Sequence, residues 1–89
     1  MVYIGSREYK YRGMLMSHMI ADTIDELHKM AELIGVDKKH FQNKTARQHY
    51  DICKSKKKLA FKNGAIECTE KRLMSILKVK EEIFKITNN

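Results

Sequence analysis

The sequence predicts a single small domain of the α+β class, in which a short β-sheet packs against about three helices. Two observations lead to this prediction. Segments with helical spacing and capping residues alternate with short apolar runs, and the chain contains no prolines. Its 89 residues suit one domain with a modest core, so residues 1–89 are assigned to that domain as a whole.

The first part of the chain predicts β-strands. Residues 2–4 form a short apolar run that ends at Gly5, and a weak alternation continues through Tyr9 and Tyr11. The run over residues 13–19 contains Met-Leu-Met and fits either a buried strand or a helical turn. The local pattern leaves both interpretations open.

A helix is expected over about residues 23–34. It begins with the capping box Thr-Ile-Asp-Glu, in which the Thr23 hydroxyl accepts the backbone N–H of Glu26 and the Glu26 carboxylate reaches back. Apolar residues then recur at helical spacing, and Gly35 suits the left-handed conformation that ends many helices. The helix is therefore amphipathic and is expected to pack on the core.

The middle of the chain predicts a turn, a loop and an extended segment. Asp37 can cap a short turn, and a polar loop is expected over residues 42–48. Residues 49–53 are expected to be extended and to lead into a lysine-rich helix.

Two helices and one more strand are expected in the last part of the chain. Ser55 is predicted to cap a helix that runs through Lys62, and residues 65–68 form a strand. Thr69 is predicted to cap a final helix over about residues 70–86. The apolar side chains of this helix are Leu73, Ile76, Leu77, Val79, Ile83, Phe84 and Ile86. Because this stripe is wider than one narrow face, a homodimer or higher homo-oligomer is expected.

The positive charge is concentrated in the middle of the chain. The formal net charge is +7, and residues 37–62 hold nine lysine and arginine side chains against two aspartates, an excess that equals the whole imbalance. A local field of this kind favours an anionic partner. A run of lysines is also the ordinary composition of a solvated surface, so charge alone decides nothing.

The sequence predicts a cytoplasmic protein. No apolar run reaches membrane-spanning length, and the N-terminus lacks the pattern of a signal peptide. Cys53 and Cys68 lack metal-motif spacing, so they are interpreted as free or buried thiols.

Two histidine–aspartate pairs are the main candidates for chemistry. His18 lies four residues before Asp22, and His49 lies two residues before Asp51, so the second pair shares a face in an extended segment. Imidazole exchanges protons near neutral pH, and a neighbouring carboxylate raises its basicity. These four side chains are predicted to act as the acid and base of a phosphodiester cleavage.

Residues around His49 are predicted to bind the phosphate-bearing ligand. Arg47, Lys54 and the backbone N–H groups at the helix start by Ser55 would hold a phosphate. Tyr50 would orient the ligand or stack on a base, although a tyrosine in such a segment is more often a core aromatic with an exposed hydroxyl.

Metal binding is the secondary interpretation of the two histidine–aspartate pairs. Their side chains are of types that suit zinc or manganese, but the spacings are common by chance. No cofactor is therefore expected. The sequence also lacks a phosphate-binding loop, a dinucleotide-binding glycine pattern and a nucleophile elbow.

The ordered string SHMIADTIDELHKMAELIGV, then FQ, then HYDICKSKKKLAFKNGAIECT, resembles a family of short bacterial and phage proteins catalogued as domain of unknown function 4031. The resemblance covers roughly residues 14–70. The matching positions are His18, Ala21, Asp22, Glu26, Leu27, His28, Ile34, Gly35, Phe41, Gln42, His49, Tyr50, Asp51, Gly64 and Ala65. Met16 and Gln48 stand where the family often has a tryptophan and a proline, which affects the expected loop geometry.

The resemblance implies that His28 and Gln42 belong to the same site, as further ligand-binding residues. By its position next to Leu27 alone, His28 would be interpreted as a structural histidine. The family description supplies no activity.

The leading hypothesis is a phage-encoded protein in the host bacterial cytoplasm that binds a nucleotide, such as a cyclic nucleotide immune signal, and cleaves its phosphodiester. His49, assisted by Asp51, would be one proton-transfer partner and His18 the other. The alternative is a non-catalytic sponge that sequesters the same nucleotide. A basic nucleic-acid-binding protein is the third and least favoured class, because aromatic residues are not interleaved with the lysines.

Overall fold

The computed structural model describes residues 1–43 and 47–87, without the side chain of Phe84, and it has the expected α+β architecture. The described strands are β1 (Val2–Gly5), β2 (Tyr9–Tyr11), β3 (Met14–Ala21), β4 (Tyr50–Cys53) and β5 (Ile66–Cys68). The described α-helices are α1 (Ile24–Leu33), α2 (Lys54–Lys62) and α3 (Glu70–Thr87), and a 3-10 turn covers Lys38–His40. The centre of the expected 42–48 loop lies outside the described residues. No described helix has the length and apolar character needed to cross a membrane.

The central strand of the mixed sheet is β3. It pairs antiparallel with β1, β2 and β4, whereas β5 runs parallel to β1. Met19 pairs with Ile4 on one side and with Tyr50 on the other, so β4 occupies the opposite edge of β3 from β1. The ambiguous run over residues 13–19 therefore belongs to a strand, because pairing on both edges satisfies its backbone groups.

Successive residues of β3 point to opposite faces of the sheet and build two separate cores. Met19 lies in the larger core together with Leu27 of α1 and Ala60 of α2. Ile20 lies in the smaller core together with Leu73 of α3. We call these surfaces the α1/α2 face and the α3 face. Burying each large apolar side chain stabilises the fold by about 1.5–3 kcal/mol, so the alternation fixes which helix covers which face.

The α1 helix begins and ends where its sequence predicts. Thr23 is the N-cap, and its Oγ1 accepts the backbone N–H of Glu26 at 3.2 Å. The Glu26 carboxylate accepts the Thr23 hydroxyl at 3.0 Å and also contacts the amino group of Met1. Gly35 follows the helix with φ +78°, a conformation that suits glycine because it lacks a Cβ atom.

The prediction that Ser55 caps α2 is wrong. The helix begins one residue earlier, at Lys54, with Cys53 in the N-cap position and without a side-chain capping bond. Because β4 runs directly into α2, Ser55 lies within the first turn, where its Oγ is 3.3 Å from the Cys53 Sγ. Thr69 does cap α3 as expected, since its Oγ1 accepts the backbone N–H of Arg72 at 3.2 Å.

The lysine-rich helix α2 packs on the α1/α2 face. Ala60 anchors it in the core of that face. Lys57 is buried beside it, with its Nζ donating to the Ser17 hydroxyl at 3.3 Å and lying 3.8 Å from Glu8. The positive run therefore lies across the sheet from α3.

Candidate functional site

Antiparallel pairing of β3 and β4 places His18 directly opposite Asp51. Both side chains point to the α3 face, because His18 is two residues from Ile20 on the same strand. The Nε2 of His18 is 3.3 Å from Asp51 Oδ1, and the Nε2 of His49 is 3.5 Å from the same oxygen. The imidazole of His49, expected beside Asp51 from the local spacing, is therefore joined by a second imidazole from the neighbouring strand.

Two further side chains complete the cluster, and sequence reasoning missed both. The Tyr9 hydroxyl on β2 donates to Asp51 Oδ1 at 2.6 Å. The Oε1 of Glu70, the first residue of α3, lies 3.3 Å from the Nδ1 of His18. In the sequence, Tyr9 is part of a weakly alternating strand and Glu70 is the start of a helix. Neither pattern predicts proximity to His18 or Asp51. The imidazole–carboxylate cluster is defined as Tyr9, His18, His49, Asp51 and Glu70.

Gly5 makes room for the Glu70 carboxylate. A Cβ atom at Gly5 would lie 2.7 Å from Glu70 Oε2, closer than real Cβ atoms approach other heavy atoms. The end of β1 therefore has to be free of a side chain for Glu70 to lie against it. In that position Glu70 reaches the His18 ring.

The hydrogen bonds of His49 assign its protonated ring nitrogen. Its Nδ1 lies 2.9 Å from the Arg47 carbonyl oxygen, and because a carbonyl only accepts, Nδ1 donates this bond. The Nε2 of His49 is left facing Asp51. This interaction with Asp51 raises the pKa of His49, although burial acts in the opposite direction.

Asp51 is the electrostatic centre of the cluster. Burial alone would raise its pKa, but hydrogen bonding with His49 and Tyr9 and the charge of both imidazoles lower the pKa overall. Burial, followed by the hydrogen bond with Asp51, raises the pKa of Tyr9. Tyr9 therefore stays protonated and donates to an ionised carboxylate.

A cavity of about 480 Å³ borders Asp51. Its lining residues are Tyr11, Arg12, Met14, Met16, His40, Gln42 and Asp51. The Arg12 guanidinium lies over the Tyr11 ring at 5.3 Å from its centroid, at the hairpin between β2 and β3. Gln42 exchanges two backbone hydrogen bonds with His49, which places it beside the cluster. The structure thus brings Gln42 to the site as expected and adds Arg12, which the sequence analysis did not consider.

Asp22 lies away from the cluster. Its carboxylate accepts the Tyr3 hydroxyl at 3.1 Å and pairs with the amino group of Met1 at 3.6 Å. The expected pairing with His18 is absent from the described contacts, because the intervening residues belong to a strand. Four residues span about 13 Å in a strand, compared with about 6 Å in a helix.

Of the residues expected to hold a phosphate, Arg47 is directed away from the cluster. The Arg47 Nε donates to Glu81 on α3 at 3.1 Å, so Arg47 contributes its carbonyl oxygen rather than its charge to His49. Lys54 and Ser55 begin α2, and within the described residues neither contacts the cluster. Phosphate binding by these three residues stays a prediction.

Tyr50, a residue of the larger core, pairs with the half-buried His28 at the edge of that core. Tyr50 has no exposed surface, and its hydroxyl lies 2.8 Å from the His28 Nδ1. Phe41 packs against the His28 ring at 4.6 Å between centroids. The Tyr50 ring is therefore enclosed by protein, which favours the core interpretation of this residue over stacking on a base.

The cluster also has the side chains of a metal site. One ligand atom each from His18, His49 and Asp51 lies within 4.8 Å of the other two. The secondary interpretation from sequence included Asp22 in this set, but its position at the end of β3 removes it. What remains is two imidazoles and one carboxylate on neighbouring strands, beside a cavity.

A comparison with protein-family models places residues 2–80 in a family described as protein of unknown function, DUF4031. The match spans β3, which carries His18, as well as His49, β4 and the start of α3. No curated protein and no solved structure in the comparisons matches the chain.

Proposed function

The chain belongs to this family of proteins of unknown function, and we propose from its site that it binds a small phosphate-bearing nucleotide and hydrolyses a phosphodiester. The ligand would occupy the cavity lined by Arg12 and Gln42. The reaction would take place at the imidazole–carboxylate cluster on the cavity wall.

The observation that carries this proposal is the convergence of two imidazoles on one carboxylate oxygen beside a cavity. His18 and His49 approach Asp51 Oδ1 at 3.3 and 3.5 Å, and Asp51 is also a lining residue of the cavity. Partly burying these polar side chains costs desolvation free energy, which apolar side chains in the same place would not cost. Interacting titratable groups at the wall of a cavity are typical of catalytic sites.

The cavity suits a nucleotide in size and in chemistry. Its volume of about 480 Å³ falls within the usual range for small-molecule sites. Met14, Met16 and Tyr11 offer apolar and aromatic surface for a base, whereas Arg12 offers a charged fork for a phosphate. Gln42 can donate to and accept from a base edge.

The cluster contains the groups that phosphodiester hydrolysis needs. The reaction consumes a water molecule, transfers one of its protons away and delivers a proton to the leaving oxygen. His18 and His49 can exchange protons with these groups or direct the water, and Asp51 stabilises positive charge on either ring. Tyr9 fixes Asp51 through its short hydrogen bond.

The test is incubation of the protein with a panel of cyclic and ADP-ribose-type nucleotides, followed by denaturation and chromatography. Recovery of a cleaved nucleotide supports the proposal. Recovery of an intact, retained nucleotide shows a sponge instead. Absence of both cleavage and retention across the panel overturns the proposal.

Matched variants separate the cavity from the lysine helix. Arg12→Gln removes the guanidinium at the cavity and is expected to raise KM for the nucleotide. Lys58→Ala removes one exposed charge on α2, across the sheet, and is expected to leave KM unchanged. Equal effects of the two variants would indicate that overall charge, rather than the cavity, holds the ligand.

The proposed setting is counter-defence by a phage in the bacterial cytoplasm, in which the protein removes a nucleotide immune signal. The nucleotide panel includes such signals, so it tests the setting and the chemistry together. Binding to long nucleic acids with a steep salt dependence, and no response to small nucleotides, would favour the nucleic-acid alternative.

A further inference from the structure

The cluster presents an electrostatic difficulty for a phosphate-bearing ligand. Asp51 and Glu70 are both carboxylates, and within the described residues their ion-pair partners are the two imidazoles. Among the basic residues nearby, Lys57 is buried on the opposite face of the sheet, Arg47 is paired with Glu81, and Lys56 lines a neighbouring cavity together with Asp51. Arg12 offers a positive charge at the cavity itself, and a cation bound at the cluster would offset the negative charge of Asp51 and Glu70 directly.

We propose that His18, His49 and Asp51 coordinate a divalent transition-metal cation of the zinc or manganese type. The ligand atoms would be the two imidazole Nε2 atoms and the Asp51 Oδ1. Two imidazoles and one carboxylate, with positions left open, form a common ligand set of catalytic metal centres.

The distances in the cluster match those between ligands of one metal ion. Ligand atoms about 2.0–2.1 Å from a tetrahedral zinc ion lie about 3.3 Å from each other. The Nε2 atoms of His18 and His49 lie 3.3 and 3.5 Å from Asp51 Oδ1. Charge-assisted hydrogen bonds between an imidazolium and a carboxylate are shorter, at about 2.7–2.9 Å. Both distances to Asp51 therefore suit ligands of one metal ion, and the ligand atoms of all three groups lie within 4.8 Å of one another.

The two proposed histidine ligands are also held from behind, as metal ligands usually are. The His49 Nδ1 donates to the Arg47 carbonyl oxygen at 2.9 Å, and the His18 Nδ1 faces the Glu70 carboxylate at 3.3 Å. Tyr9 donates to the proposed ligand atom itself, Asp51 Oδ1, at 2.6 Å, which orients the carboxylate and leaves its oxygen a second lone pair for the metal. In both histidines this arrangement directs Nε2 towards the proposed metal position.

The site leaves room for water or substrate on the metal. The side chains of His18, His49 and Asp51 remain 32%, 25% and 31% exposed. Three protein ligands leave at least one open position on a four-coordinate ion, as catalytic zinc sites do.

The role of this ion rests on the proposed function, whereas its binding does not. In hydrolysis the cation would neutralise phosphate oxygens and promote deprotonation of a bound water molecule, and the two histidines would then act as ligands rather than as proton carriers. The water proton would pass to solvent or to Glu70. The water oxygen would bond to phosphorus as the bond to the leaving oxygen breaks, and the leaving oxygen would take up a proton from solvent or from Glu70.

The test is direct metal binding by the full chain after treatment with a chelator. Titration calorimetry with Zn²⁺ is expected to show one site per chain, and Co²⁺ is expected to give the visible absorption of a low-coordinate nitrogen–oxygen site. His18→Ala, His49→Ala and Asp51→Asn are expected to lose the site. Asp22→Asn, a matched change of a carboxylate outside the cluster, is expected to keep it.

Two milder variants keep the proposal testable if the ligand variants unfold. Tyr9→Phe and Glu70→Gln retain the ligands and are expected to weaken Zn²⁺ binding by about 10- to 100-fold. Failure of the wild-type chain to bind Zn²⁺, Mn²⁺ or Co²⁺, or binding that all five variants retain, overturns the metal site. Metal binding without nucleotide cleavage upholds the metal site and removes the proposed function. Cleavage that persists in the chelator-treated chain overturns the catalytic role of the ion and upholds the proposed function.

Discussion

His18 and Asp51 face each other across the β3–β4 pair, with 3.3 Å between Nε2 and Oδ1. Their pairing is fixed by the alternation of the two strands, because Tyr50 and Ile52 on either side of Asp51 are buried in the larger core. A shift of register by one residue would move Asp51 into that core and expose its apolar neighbours. The packing of the larger core on one face of the sheet therefore fixes the positions of His18 and Asp51 on the other face.

Replacement of His49 by alanine should remove activity and leave the fold intact. The side chain is 25% exposed and contributes to the cluster rather than to the core, so the melting temperature should change little. Loss of a group that transfers protons slows such reactions by about two to four orders of magnitude, and loss of a metal ligand would remove activity together with the ion. The check is nucleotide turnover at equal folded concentration. Activity that merely follows the folded fraction would show that His49 is structural.

Replacement of Gly5 by alanine should disturb the cluster from β1. The added Cβ would meet Glu70 Oε2 at 2.7 Å and push the carboxylate away from His18. Because the Glu70 side chain can rotate, the free energy of unfolding should fall little. Zn²⁺ binding should weaken by about 10- to 100-fold, as it does when other residues that hydrogen-bond a metal ligand are lost. Calorimetry of Gly5→Ala measures this.

The Glu70→Ala background provides the control for the Gly5 variant. If Gly5→Ala acts by displacing Glu70, it should have no further effect where the Glu70 carboxylate is already missing. A full additional loss in the double variant would show that Gly5 acts on β1 itself.

Replacement of Tyr50 by phenylalanine should affect stability rather than ligand binding. It leaves the half-buried His28 Nδ1 without its 2.8 Å partner at the edge of the larger core. We expect a loss of about 0.5–1.5 kcal/mol in the free energy of unfolding, measured by urea denaturation. Unchanged stability with weaker nucleotide binding would restore the ligand-binding role that the sequence suggested for Tyr50.

The two cysteines should differ in reactivity. The hydrogen bond with Ser55, assisted by backbone N–H groups at the start of α2, lowers the pKa of Cys53. Burial raises the pKa of Cys68. At neutral pH the thiolate fraction is therefore larger for Cys53, and iodoacetamide should label it faster as followed by peptide mass spectrometry.

The Ser55→Ala variant is the control for this labelling. It removes the hydrogen bond between Ser55 and Cys53, the main cause of the lowered pKa of Cys53. The labelling of Cys53 should therefore shift to higher pH, whereas the labelling of Cys68 should not change. Equal labelling rates of the two cysteines in the unmodified chain would contradict the assignment.

The exposed stripe of α3 should mediate self-association. Val79, Ile83 and Ile86 are 60%, 55% and 74% exposed, and a row of such side chains at helical spacing is typical of an interface. Ile83→Glu should shift light scattering towards the monomer, whereas Lys78→Glu, which makes a larger change of charge at a polar exposed position, should have less effect. A monomer at high concentration in the unmodified chain would rule out this assembly.

The local patterns of the sequence determined most of the secondary structure. Thr23 and Thr69 cap their helices as predicted, because capping depends on residues three positions apart. The proximity of His49 and Asp51 was also predictable, since alternate residues of an extended segment share a face. The prediction for Ser55 failed because β4 passes into α2 without a loop, and pairing with β3 decides where that strand ends.

Only the tertiary structure decided which residues form the site. Asp51 meets His18 through strand pairing and Tyr9 across 42 positions of sequence. The tertiary structure excluded Asp22, which lies beyond the end of the strand that carries His18. It also placed α2 against the larger core, where Lys57 is buried on the face opposite the cluster. Sequence determines the alternation of each strand, since that depends on neighbouring residues. Partners across the sheet depend on register and on the helix that covers each face, and these follow from the packing of the whole chain.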